Sequence, residues 1–159
     1  MIRMSGSRAL ENENKAFVRH WFEEVWNQGR EDLIDQFSTP EVPATGLGEG
    51  SHQTRSREVF KAFYRTLRGA FPDIHVTIED TIAEGDKVVV RLSVQGTHTG
   101  NSLAPATGRN VTFAAVVIAR IADGRIAEAW NSIDQLGILK QVGALPSDSG
   151  PDRFLTPRG

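Results

Sequence analysis

The spacing of apolar residues changes once along the chain, and this change constrains the fold more than any other feature. In the first half, apolar residues recur at helical spacing over 17–26 and again over 59–67. After Pro72 they follow the two-residue period of strands, and Asp123-Gly124 is a hairpin signal. Four strands are predicted, over 74–82, 88–95, 111–121 and 125–134. Helices that precede a set of consecutive strands predict an α+β domain with an antiparallel sheet.

The remaining segments complete this order. A short helix is predicted over 33–37, a loop over 38–55 and a terminal helix over 136–142. The 159 residues suffice for one domain. We expect that domain to span 12–145, between flexible tails at 1–11 and 146–159. A strongly curved sheet wrapped around its helices would leave a pocket between the two layers.

Composition narrows the function classes. The net charge of −2 argues against nucleic-acid binding through bulk positive charge, and no apolar run approaches the 18 residues of a membrane span. The N-terminus lacks a signal-peptide pattern, which predicts a cytoplasmic protein. The chain has no cysteine, no pair of histidines at metal-ligand spacing, no phosphate loop and no Gly-x-Ser-x-Gly elbow. Cofactor-free and metal-free chemistry, or plain binding, is therefore expected.

Several short segments, in order, resemble one family. They are Phe22-Glu23-Glu24-Val25-Trp26-Asn27-Gln28-Gly29, Phe71-Pro72-Asp73, Gly96-Thr97-His98-Thr99-Gly100, Pro105-Ala106-Thr107-Gly108-Arg109, Glu128-Ala129-Trp130 and Asp134-Gln135-Leu136-Gly137-Ile138-Leu139-Lys140-Gln141-Val142-Gly143. Together they resemble the SnoaL-like polyketide cyclases (ester cyclases), within the nuclear transport factor two-like or ketosteroid isomerase-like superfamily. The resemblance implies a cone-shaped α+β domain and a homodimer or higher oligomer. It also implies a cofactor-independent cyclase or isomerase that acts on a small hydrophobic ketone or polyketide-like ester.

Asp134 is the leading catalytic candidate. The resemblance implies that its carboxylate is the general acid/base of an intramolecular aldol ring closure. Because alternate residues of a strand share a face, Glu128, Trp130, Ser132 and Asp134 are expected to line one substrate-binding surface. The other interpretation is that Asp134 only caps the terminal helix.

His98 and Arg91 are further candidates. The His98 imidazole, at a strand end, could bond a ligand carbonyl or exchange a proton in catalysis, or it could be an ordinary loop histidine. Arg91 interrupts a run of valines and could bind an anionic substrate group. It could equally pair with Glu128 or Asp134, or lie exposed on a sheet face.

Two aromatic residues are assigned to substrate binding or to the core. Trp26 fits either the core or the pocket wall, and Tyr64 belongs to a helical stripe that is typical of core. Family members often carry a histidine in the segment that is 37–44 here and a polar residue at the place of Ala129, and this chain has neither. The alternative function is therefore a non-catalytic module that binds a small molecule or dimerises.

Overall fold

The computed structural model describes residues 2–47 and 54–146. The helices in these ranges are α1 (Ile2–Trp21), α2 (Leu33–Phe37), α3 (Arg57–Ala70) and α4 (Gln135–Gln141), and a π-helical segment (Phe22–Asn27) continues α1. The strands are β1 (Glu41–Thr45), β2 (Thr54–Ser56), β3 (His75–Glu84), β4 (Lys87–Thr97), β5 (Asn110–Ala122) and β6 (Arg125–Ile133). The order of three predicted helices, four strands and a terminal helix is confirmed.

One mixed sheet contains all six strands, in the order β2-β1-β6-β5-β4-β3. Strands β3 to β6 form the predicted antiparallel meander. The prediction of a loop throughout 38–55 is wrong at β1 and β2, and β1 runs parallel to β6, so the sheet is not wholly antiparallel. Residues 48–53, which include His52, lie outside the described part of the chain.

Helix α1 begins earlier than its apolar stripe does. It starts at Ile2, so residues 2–11, which the sequence predicts as a tail, continue the helix. Glu11 connects this part to the sheet, because its carboxylate accepts the backbone N–H of Gly85 in the β3–β4 turn at 3.1 Å. Residues 147–159 of the predicted C-terminal tail lie outside the described residues, and the division into a domain and two tails stays a prediction.

The core lies between the helices and the inner face of the sheet. Strand β4 shows why, since Val88, Val90, Leu92 and Val94 alternate with less buried residues and all point inward. Across from them, Val18 and Val25 are buried to 1% and 0% exposure. Of the helices described, none has the length and apolar character needed to span a membrane.

Candidate functional site

An apolar pocket separates the helices from the inner face of the sheet. Its empty volume is about 990 Å³, counted out to its open mouth. The helical side contributes Val18, Trp21, Phe22, Trp26, Ile34, Ser38, Ser56, Arg57, Phe60, Phe63 and Leu67. The strand side contributes Val42, Ala44, Ile74, Val76, Leu92, Val94, Phe113, Ala115, Val117, Ala119, Ile126, Ala129, Asn131 and Ile133. A pocket with this apolar lining suits a small hydrophobic molecule.

Aromatic rings form the helical wall of the pocket. Trp21 lies 5.7 Å from Phe60, and Trp26 lies 6.3 Å from both Phe60 and Phe63, measured between ring centroids. The sequence left Trp26 open between the core and the pocket wall, and the structure places it in the pocket wall. Because these rings pack edge to face or tilted against one another, they hold a rigid surface against which an unsaturated ligand can pack.

The π-helical segment determines how Trp26 is held. Its last carbonyls lack partners within the helix and are capped from α3. The Tyr64 hydroxyl donates to the Val25 carbonyl at 2.8 Å, and Arg68 Nη1 donates to the Trp26 carbonyl at 2.5 Å. The Tyr64 ring also packs 4.9 Å from Trp26. Tyr64 is outside the pocket lining and only 2% exposed, so the structure places it behind Trp26.

A row of three alanines forms part of the strand side of the pocket. Ala44, Ala129 and Ala119 lie directly opposite one another on β1, β6 and β5, and all three line the cavity. A methyl side chain at each position leaves room that larger residues would fill. Ala129, where the resembled family often carries a polar residue, therefore contributes space and no polar group.

Asn131 places a polar group in this apolar surface. Its Nδ2 donates to the Thr45 carbonyl at 2.8 Å. Since a carbonyl can only accept, this contact fixes the orientation of the amide, and Oδ1 has no hydrogen-bond partner among the residues that the structure describes. Gly46, with φ of +79°, maintains the close approach of β1, because a Cβ there would lie 1.8 Å from the Asn131 carbonyl oxygen. The side chain can thus accept from a ligand hydroxyl.

Arg57 and Ser38 lie together elsewhere in the pocket lining. Arg57 Nε donates to the Thr39 carbonyl at 2.7 Å and its Nη2 to the Ser38 carbonyl at 2.5 Å. The Ser38 hydroxyl donates to the Ile34 carbonyl at 2.5 Å. Arg57 is the charged residue among the described residues that line the pocket, and that part of the lining holds no aspartate, glutamate or histidine.

The structure places Asp134 at the start of α4, outside the lining of the pocket. Its carboxylate accepts the backbone N–H of Gly137 at 2.9 Å, and its side chain is exposed. This is the geometry of a helix N-cap, the second interpretation that the sequence allowed. The catalytic role of Asp134 stays a prediction.

The other residues predicted to share a face with Asp134 lie on the outer face of the sheet. Ala129, Asn131 and Ile133 face the pocket, so Glu128, Trp130 and Ser132 face away from it. Glu128 pairs with Arg120 at 3.2 Å and Lys87 lies 5.4 Å over the Trp130 ring.

Arg91 is exposed on β4, with Asp80 and Val116 as its cross-strand neighbours. Of the alternatives that the sequence left open, the structure shows exposure on a sheet face and no pairing with Glu128 or Asp134, since Glu128 pairs with Arg120 and Asp134 caps α4. Because Arg91 does not line the pocket, its assignment to substrate binding stays a prediction.

His98 is fully buried, yet it does not line the pocket. Its Nδ1 lies 3.0 Å from the Thr107 hydroxyl, and its ring packs 5.6 Å from Phe71. Its backbone closes the loop 98–109, donating to the Arg109 carbonyl and accepting from Thr107 and Gly108. Nε2 has no hydrogen-bond partner among the described residues. The contacts are those of a loop-closing residue, and its catalytic role stays a prediction.

Sequence reasoning missed Asn131 and Arg57, although the pattern carried a signal for each. In β6 the series Ala129, Asn131, Ile133 is the less polar one and so predicts the inner face. Arg57 precedes Phe60 by three positions and continues the apolar stripe of α3 toward its start. A polar residue on an apolar face is a pocket candidate by this pattern.

Acidic and histidine side chains form no metal-binding group in the described part of the chain. Within 2–47 and 54–146, no three histidine, aspartate or glutamate side chains come together in a way that could hold a metal ion.

Comparison with known proteins identifies the family. Residues 16–142 match the family described as SnoaL-like polyketide cyclase. The chain is 31% identical over 122 residues to the aklanonic acid methyl ester cyclase DnrD of Streptomyces peucetius, over 76% of this chain and 84% of DnrD. It is equally similar to the aklanonic acid methyl ester cyclase DauD of Streptomyces sp. (strain C5), over 76% of each chain.

A solved structure shares the fold. AclR of Streptomyces galilaeus, proposed to be a hydroxylase, superposes with a TM-score of 0.76 at 26% identity, over 91% of this chain and 88% of AclR. The fold, the pocket between its layers and the matched residues lead to one conclusion: the chain belongs to the SnoaL-like polyketide cyclase family.

Proposed function

We propose that this protein is a cofactor-independent cyclase that closes a ring in a small hydrophobic polyketide ester by intramolecular aldol addition. Aklanonic acid methyl ester, on which the relatives DnrD and DauD act, is the first substrate to try. The observation that carries the proposal is the apolar pocket between helices and sheet in a chain of this family. Its lining favours a largely unsaturated ligand that is folded and shielded from water.

The reaction needs a nucleophilic carbon and an activated carbonyl in the same molecule. The carbon beside one carbonyl loses a proton and, as its enol or enolate, attacks a second carbonyl, whose oxygen then gains a proton. Asn131 suits the first part, because its Oδ1 can accept the enol O–H and hold the nucleophilic carbon in one orientation. Holding both reacting groups in an apolar cavity supplies proximity.

The acid/base group of the reaction is a separate part of the proposal. Asp134 is the residue that the family resemblance implies, and its exposed N-cap position gives no direct path into the pocket. A substrate whose nucleophile is already largely enolic needs no strong base. Its hydroxyl proton need only move to the new alkoxide, directly or through water.

A second function, binding without turnover, is favoured by one observation. The described part of the pocket lining has no carboxylate and no imidazole to move a proton. Under this alternative the cavity carries or senses a hydrophobic ligand, and Asn131 selects ligands that have a hydroxyl group.

One experiment separates the two functions. The purified chain is incubated with aklanonic acid methyl ester, and the mixture is analysed by liquid chromatography and mass spectrometry. Ring closure by aldol addition adds and removes no atoms, so the cyclase predicts a product of unchanged mass and altered retention time. Saturable quenching of tryptophan fluorescence by an ester that elutes unchanged would instead establish a binding protein.

The outer face of the sheet supports the predicted homodimer. Ile82, Val89, Ile118 and Trp130 lie directly opposite one another on four successive strands, and Ile82 is 60% exposed. An apolar row across an open sheet face is a surface that association would cover. Light scattering at micromolar concentration should give twice the chain mass, and Ile118→Glu should halve it. A monomeric wild type would overturn this part. The predicted cytoplasmic location is retained as part of the proposal.

A further inference from the structure

Arg57 combines three properties that the proposed function does not use. It lines the pocket, it carries a full positive charge, and its side chain is only 19% exposed. A guanidinium that is largely withdrawn from water loses much of its hydration, so its remaining donors interact strongly with any partner that can reach them.

The partners of Arg57 hold the guanidinium in place, and most of them are neutral. Two of its hydrogen bonds go to neutral backbone carbonyls, those of Ser38 and Thr39. The segment that supplies them is itself fixed, because Thr39 N donates to the Ile126 carbonyl of β6 at 3.0 Å. The guanidinium is therefore preorganised by α3, the α2–β1 connection and the sheet together.

The carboxylate of Asp35 is shared between Arg57 and Lys61, and Lys61 also pairs with Glu58 at 3.3 Å. Arg57 Nη1 lies 3.5 Å from Asp35 Oδ1, whereas Lys61 Nζ lies 2.9 Å from Asp35 Oδ2. The hydrogen bond from Lys61 is the main reason that the pKa of Asp35 is lowered, and Asp35 is 54% exposed. Lys61 is thus the principal partner of Asp35.

Some N–H groups of the Arg57 guanidinium have no hydrogen-bond partner among the described residues. A guanidinium has five N–H groups. The contacts with Thr39, Ser38 and Asp35 use three of them, one on each nitrogen. One N–H on each Nη is left without a partner among the described residues. These N–H groups can donate to an oxygen atom that reaches the guanidinium.

We propose that Arg57 is the oxyanion-binding residue of this pocket. As the new carbon–carbon bond forms, the C=O π bond of the attacked carbonyl breaks and its electron pair moves to oxygen. The free N–H groups of Arg57 stabilise that alkoxide until it takes up the proton released by the enol. This rests on the proposed function. A preorganised donor in a site of low polarity is the arrangement that stabilises developing charge most effectively.

The role of Arg57 can be tested by ligand binding alone, because it predicts that the pocket favours a negatively charged ligand over a neutral one. The probes are methyl 2-naphthoate, a neutral apolar ester, and 2-naphthoate, whose carboxylate oxygens stand in for the alkoxide. Calorimetric titration gives the ratio of their affinities. We expect Arg57→Gln to lower the ratio of naphthoate to ester affinity at least tenfold while ester affinity changes little. Arg30→Gln is the matched control, because Arg30 pairs with Glu24 and Asp32 at the surface and does not line the pocket.

Turnover supplies the second readout. Arg57→Gln should slow turnover by about 10²- to 10³-fold, the usual effect of losing one oxyanion donor, with little change in KM. Arg57→Lys should keep the affinity ratio within a few-fold but slow turnover at least tenfold, because the charge stays and the planar guanidinium with its fixed donors is lost. If Arg57→Gln does not fold, unchanged turnover in Arg57→Lys overturns the inference.

The outcomes separate this inference from the proposed function. If wild type binds the ester and a folded Arg57→Gln keeps the wild-type affinity ratio, the oxyanion role is wrong and the pocket stands. If wild type does not bind methyl 2-naphthoate at all, the assignment of the pocket to hydrophobic ligands is wrong, and the role of Arg57 that rests on it is wrong too. A lowered ratio in Arg57→Gln but not in Arg30→Gln supports the inference.

Discussion

The side-chain amide of Asn131, in the pocket lining, donates to the carbonyl of Thr45 at 2.8 Å, and its oxygen has no partner among the described residues. The parallel pairing of β1 with β6 places Thr45 opposite Trp130, the residue before Asn131. A short strand that the sequence pattern did not reveal thus determines the orientation of the one amide side chain in the described part of the pocket lining.

Replacing Asn131 tests its role in orienting the substrate. Asn131→Leu removes the acceptor and keeps the volume, so the turnover rate for ring closure should fall about tenfold or more, the equivalent of one hydrogen bond. Affinity for an apolar probe without a hydroxyl group, such as methyl 2-naphthoate, should be retained. Ser132→Ala, on the opposite face of β6, is the matched control. Equal turnover by Asn131→Leu and wild type would remove Asn131 from the mechanism.

Filling the alanine row tests where the ligand binds. Ala129→Leu adds three carbon atoms at the centre of the row, and these should occupy ligand space and reduce the affinity for methyl 2-naphthoate at least tenfold. Because the side chain enters an existing cavity, the cost in stability should stay below the usual 1–3 kcal/mol of overpacking. Ala114→Leu, exposed on the outer face of β5, is the control. Undiminished probe binding by Ala129→Leu would place the ligand elsewhere.

Asp134 can be tested by separating capping from acid/base chemistry. Asp134→Ala should lower the free energy of unfolding by about 0.5–2 kcal/mol through loss of the cap, and Asp134→Ser should restore much of it. From the exposed position of the carboxylate we expect both variants to retain turnover. If a stable Asp134→Ser instead turned over at least a hundredfold more slowly than wild type, Asp134 would be established as the acid/base that the family resemblance implies.

The Asp73–Thr97 contact predicts a pH effect on stability. The backbone N–H of Thr97 and then its hydroxyl, both at 2.7 Å from the Asp73 carboxylate, lower the pKa of Asp73. Because the folded pKa lies below the unfolded value of about 3.9, the stabilisation is fully present above pH 4 and is lost as the pH falls through the folded pKa. Urea unfolding between pH 3 and 7 should show wild type more stable than Asp73→Asn at pH 6, with the difference shrinking below pH 4. A difference independent of pH would contradict this.

The four long strands and the main helices could be predicted because local periodicity determines them. In β4 the alternation of buried and exposed residues follows directly from the sequence. Strand β1 could not be predicted in this way. It has five residues with a proline among them, and its parallel partner β6 is more than 80 residues away in the chain. No local pattern reports such a pairing.

The sequence predicts the site less completely than the fold, because in β6 the residues with reactive side chains alternate with the residues that face the pocket. The series Glu128, Trp130, Ser132 has the more reactive side chains, and for that reason it was expected at the pocket. In β6 it is the apolar series with Ala129 that faces inward. Trp26 was recognised as a possible pocket-wall residue, since a helical stripe facing the sheet also faces the space between the layers.

The most direct test of the central claim is the initial rate of ring closure of aklanonic acid methyl ester by wild type, Ala129→Leu and Ala114→Leu at equal concentrations. The account predicts a product of unchanged mass with wild type and with Ala114→Leu, and a rate at least tenfold lower with Ala129→Leu. No conversion by the wild-type protein, while it binds the ester saturably, would contradict the cyclase. Equal rates in all three would show that the chemistry takes place outside this pocket.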